Sequence, residues 1–106
     1  MIVPSVCYEV SGIVTLEAFR QRTPVVVRNI GGMPELARES EGGIVYSTDE
    51  QLVSALDAIL DDPQCRARLG NNGHAAFERL WTTEPHLERY FGFIREIAAR
   101  RGLPIA

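Results

Sequence analysis

Thr23-Pro24-Val25-Val26-Val27-Arg28 is a β-branched run that opens on a proline and shows no alternation of apolar and polar side chains. A strand of that kind is buried on both faces, as strands of parallel sheets are. Ile2-Val3-Pro4-Ser5 upstream and Gly43-Ile44-Val45-Tyr46-Ser47 downstream have the same character. Segments with helical patterning lie between the three runs, so crossover connections and an α/β layer fold follow. The expected order is strand, helix, strand, helix, strand and then three helices. The three strands run parallel with helices on both sides, in one domain covering residues 1–106.

The downstream helices carry the clearer local signals. Thr48-Asp49-Glu50-Gln51 is a capping box with acids in the first turn, and Leu52, Leu56, Ile59 and Leu60 form an apolar stripe behind it. Asp62-Pro63 supplies an N-cap and a first helical residue. Leu69, Ala76, Phe77 and Leu80 give the helix that follows a weaker face. Gly70 and Gly73 count against that helix by roughly 1 kcal/mol each relative to alanine. Leu87, Tyr90, Phe91, Ile94 and Ile97 recur at helical spacing until Gly102 and Pro104 end the last helix. Trp81 and Tyr90 are expected to pack this helix onto the core.

Size and charge exclude several function classes. The chain has 106 residues, 45% apolar and 24% charged, with a net charge of -3, which fits one modest domain. All eleven positive charges are arginines, and no general basic field exists to attract nucleic acid. Cys7 and Cys65 have neither metal spacing nor a disulfide framework. His74 and His86 stand at no ligand spacing and read as structural or exposed. No metal site is expected. The first residues lack a basic start and an apolar h-region, and no run approaches the roughly 18 apolar residues of a membrane span. A cytoplasmic location is the expectation.

The chemistry concentrates between residues 4 and 35. Ser5 ends a strand, the stretch from Cys7 to Gly12 forms a loop, and a short helix containing Ile13, Leu16, Glu17 and Phe19 follows, with Ser11 placed to cap it. A loop at the carboxyl end of a parallel strand opens into the crevice where α/β sheets bind ligands. The first amides of the helix, from Gly12 to Val14, have no intrahelical acceptors and suit a diphosphate. Gly12, without a Cβ, admits a close approach to the backbone. Glu17, one turn on, is placed to accept hydrogen bonds from a ribose diol. On one continuous helix Glu9 and Glu17 would stand about 12 Å apart, too far for the roughly 5–5.5 Å carboxylate pair of a retaining glycoside hydrolase. They suit different parts of one extended ligand.

Pro4-Ser5, Tyr8-Glu9-x-x-Gly12 and Glu17-Ala18 together resemble the E-x7-E region of retaining, GT-B-fold glycosyltransferases related to glycogen synthase, the glycosyl transferases of group 1. The resemblance continues through Thr23-Pro24-Val25-Val26, Gly31-Gly32-Met33-Pro34-Glu35-Leu36 and Gly42-Gly43-Ile44-Val45-Tyr46. It reaches Asp62-Pro63 and Arg68-Leu69-Gly70, in the family's order and spacing. A lone E-x7-E would carry little, because glutamates eight apart are common; the ordered set carries the resemblance. It implies a Rossmann-like partial domain, the second half of a GT-B C-terminal domain that binds the nucleotide sugar. It implies that Glu9, the catalytic candidate, sits by the hexose of a nucleotide-sugar donor. Gly12, with the amides of Ile13 and Val14, would meet the diphosphate, Ser11 beside them would be a donor-binding residue, Glu17 would hold the ribose, and the Gly31-Gly32 loop would lie near the donor as a secondary element. Transfer would retain the anomeric configuration, with a nucleotide-diphosphate sugar as co-substrate and no separate cofactor.

Two departures stand out. Ser11 replaces a frequent phenylalanine, and Arg22 replaces the glycine usual before Thr23-Pro24, which suggests a relaxed helix exit. The family's acceptor-binding N-terminal half has no counterpart here, nor has the segment that supplies an arginine and a lysine to the diphosphate. The expectation is therefore a fragment that is catalytically silent alone and self-associates through the open edge of its first strand. The rival readings are a truncated nucleotide-binding or partner-pairing module, and a fragment of a GT-B nucleotide-sugar epimerase.

Overall fold

A computed structural model describes residues 1–8 and 12–104. The elements are β1 (Ile2–Val3), α1 (Ile13–Arg20), β2 (Val25–Arg28), α2 (Met33–Ser40), β3 (Gly43–Tyr46), α3 (Asp49–Asp61), α4 (Pro63–Ala76), a π-helical turn (Phe77–Trp81) and α5 (Thr83–Arg101). The sheet order is β1-β2-β3 and both pairings are parallel. Ile2 and Val3 stand opposite Val26 and Val27, and Val25 to Arg28 stand opposite Gly43 to Tyr46.

Val25, Val26 and Val27 are all buried because the middle strand is covered on both sides. On one face Val25 and Val27 join Val3, Ala18, Phe19, Met33 and Ala37, which come from β1, α1 and α2. On the other face Val26 and Tyr46 meet Ala55 of α3, with Leu52, Leu56 and Ile59 around it. The expected capping box is present: Thr48 Oγ1 accepts from the Gln51 amide at 3.2 Å, and Gln51 Oε1 accepts from the Thr48 amide at 3.4 Å. Leu60, expected on the apolar stripe of α3, is 69% exposed; its neighbour Ile59 takes the place against the sheet.

α4 runs unbroken through Gly70 and Gly73. Both glycines mark close approaches of backbone to neighbours. A Cβ on Gly70 would stand 2.1 Å from the Arg22 carbonyl oxygen, and one on Gly73 would stand 2.4 Å from Phe19 Cδ1. The π-helical turn then swings Trp81 over Phe19, the two rings stacked at 6.0 Å. His74 Nδ1 lies 3.3 Å from the Phe19 carbonyl.

Three local expectations are corrected. The N-cap of α1 falls on Gly12 and has no side-chain cap, whereas Ser11 lies outside the described residues. Arg22 does not relax the exit of α1: it adopts the left-handed conformation, φ 56°. The Arg22 amide bonds the Phe19 carbonyl at 3.0 Å and the Thr23 amide bonds the Ala18 carbonyl at 2.9 Å, the paired bonds of a Schellman ending. Tyr90 does not pack on the core. It is 54% exposed, stacked on His86 and edge-on to Phe91, because α5 leaves the body of the molecule beyond Trp81. The helix ends as expected at Gly102, in the left-handed conformation.

Candidate functional site

Successive parallel strands put their carboxyl ends on one side of the sheet, and the chain leaving β1 there returns as α1. Between the tip of β1 and the start of α1 lies a cleft of about 400 Å³, walled by Ile2, Val3, Pro4, Ser5, Gly12, Ile13 and Val14. None of these side chains is ionised. The Gly12 carbonyl accepts from the Thr15 amide at 2.9 Å and the Leu16 amide at 3.3 Å. The Ile13 and Val14 amides, one turn too early for an intrahelical acceptor, have no backbone partner among the described residues. They carry the positive end of the α1 dipole into a cleft without ionised walls.

Gly12 is buried, and the space a side chain would need is filled. A Cβ there would stand 2.1 Å from Met33 Sδ, and Met33 is held in turn by the buried Thr15 hydroxyl at 3.7 Å. The glycine is thus required by packing of α2 on the start of α1, a relation that sequence spacing did not suggest. Buried Thr15 in an otherwise apolar turn was the one available hint. Ile13 and Val14 are exposed and line the cleft.

Glu17 lies one turn into α1 and is exposed; it is not part of the cleft wall. Glu9, the catalytic candidate, lies outside the described residues, as does Ser11. Gly31 takes the left-handed conformation, φ 65°, and Gly32 is the N-cap of α2. The Gly31-Gly32 turn touches the cleft indirectly, by delivering Met33 onto Gly12. Among the described residues no group of three histidine, cysteine or carboxylate side chains is placed to hold a metal.

Arg28 had no place among the site residues expected from sequence. It ends the middle strand, its Nε 3.5 Å from the Pro4 carbonyl and its guanidinium carbon 5.2 Å from the centre of the Tyr46 ring, on the sheet face that α3 covers. Its position at a strand tip was readable, but its direction was not, because that depends on the pairing of β1 with β2.

The sheet and its crossovers define a Rossmann-like α/β unit with a cleft beyond the tip of β1. The chain belongs to the glycosyl transferases group 1 family, whose model matches residues 1–76. It is 39% identical over 79 residues to a GDP-mannose-dependent monoacylated alpha-(1-6)-phosphatidylinositol monomannoside mannosyltransferase of Corynebacterium glutamicum, covering 74% of this chain and 21% of that one. It is 36% identical over 80 residues to the alpha-maltose-1-phosphate synthase of Mycobacterium tuberculosis, covering 68% and 20%. Among solved structures, sucrose-phosphate synthase from Thermosynechococcus elongatus superimposes with a TM-score of 0.76 at 30% identity, over 93% of this chain and 25% of that one. The fold is that of part of a GT-B enzyme. The chain spans about a fifth of the length of the curated relatives it matches.

Proposed function

We propose that this chain is the donor-binding part of a retaining glycosyltransferase, taking a nucleotide-diphosphate sugar whose sugar passes to an acceptor held elsewhere. One observation carries the reading: Ile13 and Val14, whose amides have no backbone partner among the described residues, line a cleft at the tip of β1, inside the stretch that the family model matches. The diphosphate rests on these amides beside Gly12. Glu17, about 6 Å further along the helix axis, takes the ribose hydroxyls, and the hexose is assigned to Glu9, which lies outside the described residues. The Gly31-Gly32 turn supports the arrangement from behind.

A leaving diphosphate needs its growing charge stabilised, usually the largest catalytic contribution. The residues walling the cleft include no cation, so the 106-residue chain alone transfers no sugar. Titration calorimetry with GDP, UDP and ADP and their sugars tests the donor site. GDP comes first because the mannosyltransferase relative is named for GDP-mannose. Binding weakened by Glu17→Ala supports the reading; no binding of any nucleoside diphosphate refutes it. A second reading, a module that pairs with a partner, is favoured by the exposed apolar residues on α5, Leu87, Phe91 and Ile94. Restored transfer on adding the N-terminal half of a related enzyme would decide for pairing.

A further inference from the structure

We propose that α5 pairs antiparallel with α5 of a second copy of this chain, along a seam that runs from Glu84 to Arg101. The inference is independent of the donor-site reading above. Beyond Trp81 the helix leaves the body, packing chiefly on the π-helical turn, and Leu87, Phe91 and Ile94 stay exposed along it. Glu84, Leu87, Phe91, Ile94, Ala98 and Arg101 follow one another at spacings of three, four, three, four and three, the a and d positions of a coiled-coil heptad. The apolar members fill the middle of the seam, and its two ends carry opposite charges.

That spacing reads the same from either end, so a two-fold axis between Phe91 and Ile94 matches the seam to itself. Phe91 of one copy then lies beside Ile94 of the other, Leu87 beside Ala98, and Glu84 beside Arg101. Ala98 is covered within its own chain; with Phe93, Ile94, Ile97 and Leu103 it lines an apolar hollow of about 280 Å³, which Leu87 of the second copy enters. Glu88 and Arg95 flank the seam at the e position, and antiparallel helices set e against e. Glu88 of each copy therefore meets Arg95 of the other. No ion pair among the described residues uses Glu84, Glu88, Arg95 or Arg101, and Glu84 repels Glu88 one turn on. A second copy gives each of these charges a partner of opposite sign. A parallel pair would instead oppose Glu84 to Glu84 and Arg101 to Arg101. With 19 residues the helix is about 28 Å long, so the contact belongs to the small, transient class below about 1,200 Å².

Sedimentation equilibrium of the full chain tests this on the Ile2→Lys variant, whose charged sheet edge recruits no further strand. A monomer–dimer equilibrium with a midpoint of about 10–100 μM is expected, and Phe91→Glu should abolish it. Glu88→Arg or Arg95→Glu alone sets like charges against each other across the pair and should weaken the dimer about tenfold. The two together should restore it. Both side chains are exposed, so the far-UV circular dichroism of these variants should match the parent. Restoration is specific to the antiparallel pair, because a parallel one sets e against g, where Tyr90 and Ile97 stand. A double variant as weak as the single ones overturns the proposal, as does a dimer indifferent to Phe91→Glu and to both reversals. A monomer at every concentration also overturns it, and dimer-free binding of the N-terminal half of a related enzyme would give the α5 face to that half. Should Ile2→Lys fail to fold, the same series on the unaltered chain decides, read as the fall and return of the mass at one fixed concentration.

Discussion

Arg22 shows what a single residue can hold against its own preference. Its φ of 56° places a Cβ-bearing side chain in the left-handed region, at about 1–2 kcal/mol for an L-residue. The Schellman bonds from Arg22 and Thr23 to Phe19 and Ala18 hold it there, and its Nη1 donates to Asn71 Oδ1 at 3.0 Å. Arg22→Gly removes the strain, loses one exposed hydrogen bond and adds the entropy of an unfolded glycine, roughly 0.5–1 kcal/mol. A net gain of about 0.5 kcal/mol is expected, read as a higher urea midpoint with an unchanged slope. Arg22→Ala keeps the Cβ and should show no gain; an equal gain would mean that the backbone is not strained. The departure from glycine was legible in the sequence. Its consequence was not, because a chain can answer a lost glycine by moving its backbone or by bearing the strain. Here α4 decides. Gly70 sits against the Arg22 carbonyl and leaves the turn no room to open. The same limit applies to Gly12, legible as a helix start beside a cleft but not as the seat of Met33.

Among the elements, α4 and α5 pose one question with opposite answers. Glycine inside a helix is about 0.8–1 kcal/mol worse than alanine, so each interior glycine invites replacement. A methyl group on Gly92 in α5 would meet nothing within 4 Å, and Gly92→Ala should stabilise by up to about 1 kcal/mol. Gly73 in α4 faces Phe19 at 2.4 Å, and Phe19 is fully buried beneath stacked Trp81. Gly73→Ala must push apart α1 and α4, at about 1–3 kcal/mol, which outweighs the propensity gain. Thermal unfolding of the two variants should shift in opposite directions; a stabilising Gly73→Ala would show that α4 does not approach α1 so closely. Propensity and periodicity made α3 and the limits of α5 legible, since capping boxes and C-terminal glycines act within a few residues. They undervalued α4 because its glycines answer to a neighbour some fifty residues away in sequence.

For the whole molecule, apolar surface and the sheet edge are the governing facts. The radius of gyration is 16.7 Å, against about 13 Å for a compact chain of 100 residues, because α5 projects with Leu87, Tyr90, Phe91, Phe93 and Ile94 between 38% and 63% exposed. The amphipathic stripe was legible; what it packs against was not, since periodicity tells which face is apolar and nothing about its partner. β1 is an edge strand of two residues, with Ile2 45% exposed and one side of its backbone unpaired by the sheet. Edge strands of this kind recruit further strands unless charged residues blunt them, and Ile2 and Val3 bring no charge. We expect the 106-residue chain to self-associate through β1 besides α5, its weight-average mass rising beyond the dimer with concentration in sedimentation equilibrium. Ile2→Lys puts a charge on the edge and should stop the mass at the α5 dimer, while Phe91→Glu on α5 should leave association through the edge intact. A Phe91→Glu chain that is monomeric at every concentration would remove the edge from consideration.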